Sequence, residues 1–215
     1  MAPGCVVIYF NPIQSDGEDV LPSWRKKVQE KIPGFQLRTK MVATDPSDIE
    51  ANFYRYEDFI EVEDASKVTK DLIKDMCEES PLQHSDWHVY ERISKDKRDD
   101  LVGDERPAGS QIVQVGSAPI DSPEHMEEYH TWYRTEHRPR LSKVQGWCIG
   151  TRWQFLFEHG DGKAPRRRIL AQQQYEKENG LGGTQWKSSM QSEWSKRVIS
   201  NVEMPSHRRT WEIVQ

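Results

Sequence analysis

Hydrophobic and polar positions alternate and recur in an order that can be read directly into elements. Cys5 to Phe10, CVVIYF, is almost wholly β-branched or aromatic and stops at Asn11-Pro12, which predicts a strand followed by a turn. Leu21, Trp24, Val28 and Ile32 recur at helical spacing until Pro33-Gly34. Phe35 to Ala43 and Asn52 to Val62 read as strands. Asp64 can cap a helix running to about Glu79, with Val68, Leu72, Ile73 and Met76 turned inward, and Trp87 to Ile93 is a further strand. The order is β-α-β-β-α-β.

The same order then returns. Gln111 to Ser117 predicts a strand, and a helix opens at Asp121 or Ser122 with Pro123 in its first turn, where a missing N–H is harmless. Pro139 is expected to stop that helix shortly after His137. Trp147 to Phe157 and Arg168 to Tyr175 read as strands. A helix is predicted from Thr184 to Val202, ended by Met204-Pro205-Ser206, and Arg208 to Val214 is the last strand. Between the copies, residues 97–109 are charged and carry Gly and Pro, the composition of a linker. This divides the chain into an N-terminal ferredoxin-like repeat, residues 1–96, and a C-terminal one, residues 110–215. A period of roughly 105 residues is too long for a solenoid and fits two split βαβ units. Helices cover one face of each sheet, and the other face must be buried as well; two sheets facing each other satisfy both. The expected fold class is therefore α+β: two tandem ferredoxin-like βαββαβ repeats closing an intrachain α+β barrel, a pseudo-dimer.

Composition narrows the function. The formal net charge of -5 argues against a broad nucleic-acid footprint. No run of about 18 apolar residues suggests a membrane span, and MAPGCVVIYF lacks the basic start of a secretory signal. Three scattered cysteines, Cys5, Cys77 and Cys148, suit a reduced, cytoplasmic protein better than a disulfide framework. Eight Trp, seven Tyr and six Phe supply apolar area for compact cores.

Chemistry is concentrated in one helix. Met126, Tyr129, His130, Tyr133 and His137 share a face that carries two imidazoles and two phenols, where a core-facing helix would show Leu, Ile and Val. The corresponding helix of the first repeat, LPSWRKKVQEKIPG, has neither His nor Tyr. A single active pocket therefore belongs in the second repeat, and the first repeat is structural. His137 is the first candidate for a general acid or base, because imidazole titrates near neutrality; a helix-terminal His interacting with the dipole is the alternative. His130 is the second proton-transfer candidate. Tyr133 can donate to a developing oxyanion, and Tyr129 and Met126 would line the substrate. Arg140 could hold an anionic group. In the strand that follows, Trp147 and Trp153 fall on one face by alternation and could form an aromatic wall, or simply a tryptophan core. Which face meets the helices stays open. Metal binding finds no support: His130 and His137 are two turns apart, and no H-E-x-x-H occurs. No nucleotide-binding glycine motif or G-x-S-x-G elbow occurs either.

The segment YHTWYRTEHRPRL, followed by a spacer, a Gly and a strand, resembles the first helix and second strand of EthD-type proteins of the dimeric α+β barrel superfamily. The matching pattern is aromatic-x-x-x-Tyr-x-x-x-His-x-Pro, carried by Tyr129, Tyr133, His137 and Pro139 within Ser122 to Trp153. The resemblance implies a fungal, secondary-metabolism setting and a cofactor-free lyase, isomerase or cyclase. Its substrate would be a small aromatic or polyketide-like molecule, undergoing cyclisation, dehydration, isomerisation or decarboxylation by proton transfer at His137. Members of the superfamily usually build the barrel as a dimer; here the pseudo-dimer does so within one chain, and a further homodimer stays open. Two alternatives stand beside it: a non-catalytic small-molecule-binding or stress-response barrel, and a haem protein, since some barrel relatives hold haem through a His.

Overall fold

The computed structural model describes residues 1–11, 20–46, 53–82 and 84–214. Eight antiparallel strands close a barrel in the order β1-β3-β2-β8-β5-β7-β6-β4. Strand β1 (Gly4–Phe10), helix α1 (Val20–Lys31), β2 (Phe35–Ala43), β3 (Tyr56–Val62), α2 (Lys70–Glu78) and β4 (Ser85–Lys97) form the first copy, and β5 (Gln111–Pro119), α3 (Pro123–Trp132), α4 (Arg138–Leu141), β6 (Trp147–Gly160), β7 (Ile169–Tyr175), α5 (Thr184–Ser188), α6 (Glu193–Ser200) and β8 (Val202–Val214) form the second. Within each copy the sheet order is the ferredoxin-like one, β4-β1-β3-β2 and β8-β5-β7-β6. The copies join twice, β2 to β8 and β4 to β6, so one chain closes the barrel without a partner. The α+β barrel expected from the duplicated pattern is the fold observed.

Alternation sorts each strand between two environments. In β1, Cys5, Val7 and Tyr9 face the barrel interior, where they meet Phe59, Tyr90, Trp153 and Trp211. Val6, Ile8 and Phe10 face outward against Trp24 and Val28 of α1, Ile32 just after it, and Ile73 and Met76 of α2. In the second copy Trp132, Tyr133 and Val198 cover Ile169 and Ala171 of β7.

Several boundaries differ from the expected ones for local reasons. Asp64 caps only the 3-10 turn Ala65–Lys67, and Thr69, accepting from the Leu72 N–H at 3.2 Å, is the cap of α2. Asn52, the expected start of β3, lies outside the described residues. The single helix expected over 184–202 is two helices. Ser188 and Ser189 hydroxyls bond back to the Gln185 and Trp186 carbonyls, and Ser192 takes the Ser195 N–H at 2.9 Å as a new N-cap. Strand β8 begins at Val202, so Met204-Pro205-Ser206 runs inside it. The register shifts at both sides of Ala118, and Pro205 falls in the irregular stretch where no ladder N–H is required.

Candidate functional site

Helix α3 starts as the sequence suggests: the Ser122 hydroxyl accepts from the His125 N–H at 3.3 Å, and Pro123 sits in the first turn. It does not stop before Pro139. Tyr133–His137 forms one π-helical turn, with the Arg138 N–H reaching back to the Tyr133 carbonyl. A widened turn makes room for the proline ring that an α-turn would clash with, and the chain continues through α4 to Leu141. Trp132, the last residue of α3, is buried, with its Nε1–H donating to Ser195 Oγ at 3.1 Å.

Beneath this segment lies a hollow of about 260 Å³ between the helices and the outer face of β5 and β7. Val113, Val115 and Ser117 of β5 and Ala171, Gln173 and Tyr175 of β7 form its floor. Tyr129, Trp132, Tyr133 and His137 form one wall, Trp186, Val198 and Ile199 the other, and Arg208 stands at its rim.

His137 is 9% exposed and held on two sides. Its ring stacks on Trp132 with centroids 4.5 Å apart at 11° and meets Tyr133 edge-on at 5.3 Å. Its Nδ1 lies 3.3 Å from the Ser189 carbonyl. A carbonyl can only accept, so Nδ1 carries the proton and Nε2 keeps its lone pair. Burial drives the imidazole down to about 4, against the smaller opposing pull of the Ser189 carbonyl, so the ring is neutral at ordinary pH.

Tyr133 is the end of a relay that fixes its hydroxyl. The Trp147 Nε1–H donates to Gln173 Oε1 at 2.8 Å, and Gln173 Nε2 donates to the Tyr133 hydroxyl oxygen at 2.6 Å. The phenol's own hydrogen is thereby left to point elsewhere. Gly150 leaves room for this relay, since a Cβ there would stand 2.8 Å from Gln173 Oε1. Burial raises the Tyr133 phenol above its ordinary range, while the Arg152 guanidinium, 4.4 Å from the ring centroid, works against that rise. Tyr129 also lines the hollow, its phenol raised by burial with the Ser117 hydroxyl opposing.

The remaining sequence candidates separate. His130 does not line the hollow; its Nδ1 accepts from Arg152 at 3.2 Å, and burial followed by the Arg152 charge lowers its pKa. Met126 packs against the edge of the helix-covered core without reaching the hollow. Arg140 points away, toward the Ser188 carbonyl and Glu136. Trp147 and Trp153 are on opposite sides of the sheet. A bulge between Trp147 and Ile149 shifts the register by one residue, so Trp147 faces the helices opposite Tyr175, and Trp153 faces the barrel interior opposite Leu170. The aromatic wall expected from simple alternation is therefore not formed. Pattern reading missed Gln173, Tyr175, Trp186 and Arg208. Gln173 and Tyr175 share a parity with Ile169 and Ala171 that would have placed them, once the helix-facing side was known.

Among the described residues no group of three or more His, Cys, Asp or Glu side chains could hold a metal ion, and no helix is long and apolar enough to cross a membrane.

No protein-family model matches the chain. No curated protein matches it by sequence. Solved structures do. An anthrone oxidase-like protein aligns at a TM-score of 0.62 and 12% identity, covering 100% of this chain and 92% of that one. A mutant chlorite dismutase from Candidatus Nitrospira defluvii, in complex with cyanide, aligns at 0.60 and 10% identity over 99% and 91%. A major regulator of staphylococcal pathogenesis aligns at 0.53 and 9% identity over 98% and 99%. At such identities the likeness establishes a shared barrel fold over the full length of the chain and nothing of its role, since proteins of this fold include both an enzyme and a regulator.

Proposed function

We propose that the chain is an enzyme acting on a small, flat, largely apolar molecule by proton transfer next to a carbonyl or phenol. The observation that carries this reading is the pairing, inside one apolar hollow, of a neutral imidazole whose Nε2 lone pair is free with a phenol whose O–H is aimed by Gln173. Nε2 of His137 takes a proton from an acidic C–H or O–H of the substrate. The Tyr133 hydroxyl donates to the oxygen on which the negative charge grows. An imidazolium in this setting is costly, as its low pKa reports, and the nascent enolate or phenolate offsets that cost by standing beside it. Trp132, stacked on the ring, and the Ser189 carbonyl keep the imidazole in place during the transfer. Isomerisation, cyclisation and dehydration can begin with this step; a decarboxylation would instead break the C–CO2 bond, with Tyr133 donating to the oxygen that gains charge and a proton then delivered to carbon. The first repeat is the structural half, and association of two chains is a separate matter that light scattering resolves.

Haem is the cofactor that the resemblance raises as an alternative. His137 Nε2 would be its donor, but 260 Å³ lies below the range of about 300–1,000 Å³ typical of sites for drug-sized ligands. The hollow as it stands does not accommodate the macrocycle, and no step is assigned to it.

The test is turnover of candidate aromatic ketones and phenols by wild type and His137→Ala. Loss of turnover with binding retained is expected. Unchanged turnover with weakened binding would transfer the assignment to a non-catalytic binding protein.

A further inference from the structure

Resting on the reading that the hollow is a ligand site, we infer that its ligand carries one carboxylate-type anionic group on its apolar body, and that Arg208 from the rim and Tyr175 from the floor receive that group. Three observations lead there. First, the lining holds one formal charge, the Arg208 guanidinium, and no carboxylate. Second, neighbouring arginines are engaged by side chains: Arg168 pairs with Asp121 and Glu203, Arg197 with Glu128, and Arg152, without an ion pair, hydrogen-bonds Ser94 and His130. Arg208 makes no ion pair with a described residue; its guanidinium lies over the Trp186 ring, 5.0 Å from the centroid. A guanidinium laid over an aromatic ring presents its N–H edges outward in a plane, the geometry that grips a carboxylate with two parallel bonds.

Third, Tyr175 is 0% exposed, lines the hollow, and its hydroxyl has no hydrogen-bond partner among the described residues. A buried hydroxyl left unpaired costs free energy that a bound acceptor would recover. Burial raises this phenol, and the Arg208 charge is the influence acting against that rise, so the two groups feel each other. A phenol that keeps its proton and a guanidinium that keeps its charge are both donors only toward an anion. Sequence reasoning assigned the anion-holding role to Arg140, which the fold turns toward Glu136 instead.

The experiment titrates the full chain with 1-naphthoate and with 1-naphthamide, an uncharged probe of nearly the same shape, following tryptophan fluorescence and calorimetry at pH 7.5. In wild type naphthoate is expected to bind about tenfold more tightly, one charge-assisted hydrogen bond's worth of preference. Arg208→Gln should abolish the preference while naphthamide affinity stays, Arg208→Lys should restore part of it, and Tyr175→Phe should weaken naphthoate more than naphthamide. Added salt should narrow the gap, because the guanidinium is solvent-exposed. Equal affinity of the two probes in wild type, or an unchanged preference in Arg208→Gln, overturns the inference. Naphthamide binding that Ala171→Leu abolishes would keep the hollow as a ligand site even then, whereas failure of both probes to bind overturns the inference and the ligand-site reading together.

Discussion

Glu57 sits inside the barrel, 0% exposed, and its surroundings make a strong pH-dependent prediction. Its Oε1 accepts from Gln114 Nε2 at 2.6 Å, and Gln114 Oε1 in turn accepts from the Trp211 Nε1–H at 2.9 Å. Its Oε2 has no hydrogen-bond partner. Tyr9 from β1 feels its charge, Asp58 adds a like charge from β3, and Arg209 of β8 is the cation that partly compensates. Burial wins, and the carboxyl is pushed up to about 8 from an ordinary 4.5. A raised acid binds its proton more tightly when folded. Its stabilising contribution is complete below pH 4.5 and is lost as pH rises through 8. The shift of about 3.5 at 1.36 kcal/mol for each unit sets an upper bound of about 5 kcal/mol. That is a large share of the roughly 5–15 kcal/mol that holds a typical domain together. Urea unfolding followed by tryptophan fluorescence at pH 6 and pH 9 samples the part that is lost above pH 6. Wild type should lose at most about 2.7 kcal/mol between the two, the two units below 8 at 1.36 kcal/mol each. Glu57→Gln keeps the acceptor for Gln114 and cannot ionise, so it should show no such loss and exceed wild type at pH 9. Parallel pH dependences in the two proteins would refute the argument, because the alkaline weakness would then originate elsewhere.

On the acid side, His88 and His137 are both pushed down to about 4 by burial, so their contribution is complete above pH 6.5 and lost as pH falls through 4; His137→Asn should flatten part of that acid limb in an unfolding series. Gly150→Ala should displace the Gln173 amide, clamped between Trp147 and Tyr133, and lower turnover about as much as Tyr133→Phe does, with a crystal structure showing Gln173 moved. Tyr133→Phe itself should lower kcat by about a hundredfold with little change in KM, the signature of a donor used mainly in the transition state. Ala171→Leu, on the floor of the hollow, should raise the unfolding midpoint while eliminating ligand binding; a lowered midpoint would mean that the floor has no spare room.

Much of this architecture is written in local patterns. The duplicated strand and helix order, the Ser122-Pro123 start of α3, and the stripe of Tyr129, Tyr133 and His137 are all legible, because each depends on neighbours within one or two turns. What escaped pattern reading depends on contacts between distant segments or on a single inserted residue. The π-turn at Tyr133–His137 and the bulge at Trp147 each add one residue to a regular repeat, and everything beyond them changes face. Trp153 thereby lies on the face opposite Trp147, although simple alternation put the two together. His130 lies on the expected stripe, but Arg152, from a strand 22 residues further on, captures it. Arg208 and Tyr175 come to line one hollow only once β8 has paired with β5 and β5 with β7.

The two copies use the same scaffold to opposite ends, and magnitudes suggest why both are needed. In the first copy, Trp24 packs edge-on against Trp87 at 5.9 Å and against Phe10 at 6.2 Å, and the space beside it and Met76 amounts to about 10 Å³. In the second, phenols and an imidazole at the corresponding helix are held up by Gln173 and Ser189, and about 260 Å³ remains open. Were it closed and dry, an apolar hollow of that size would cost at most on the order of 6 kcal/mol, at about 24 cal/mol per Å³. That cost is comparable to the whole stability of a small domain, and a lone ferredoxin-like unit could hardly carry it. Joined through β2–β8 and β4–β6, the well-packed copy and the shared barrel interior supply the missing stability, so the second copy can stay hollow. On this view the duplication is what permits the site, and changes that loosen the first copy, such as Trp24→Ala, should impair ligand binding in the second through lost stability, with no contact between them.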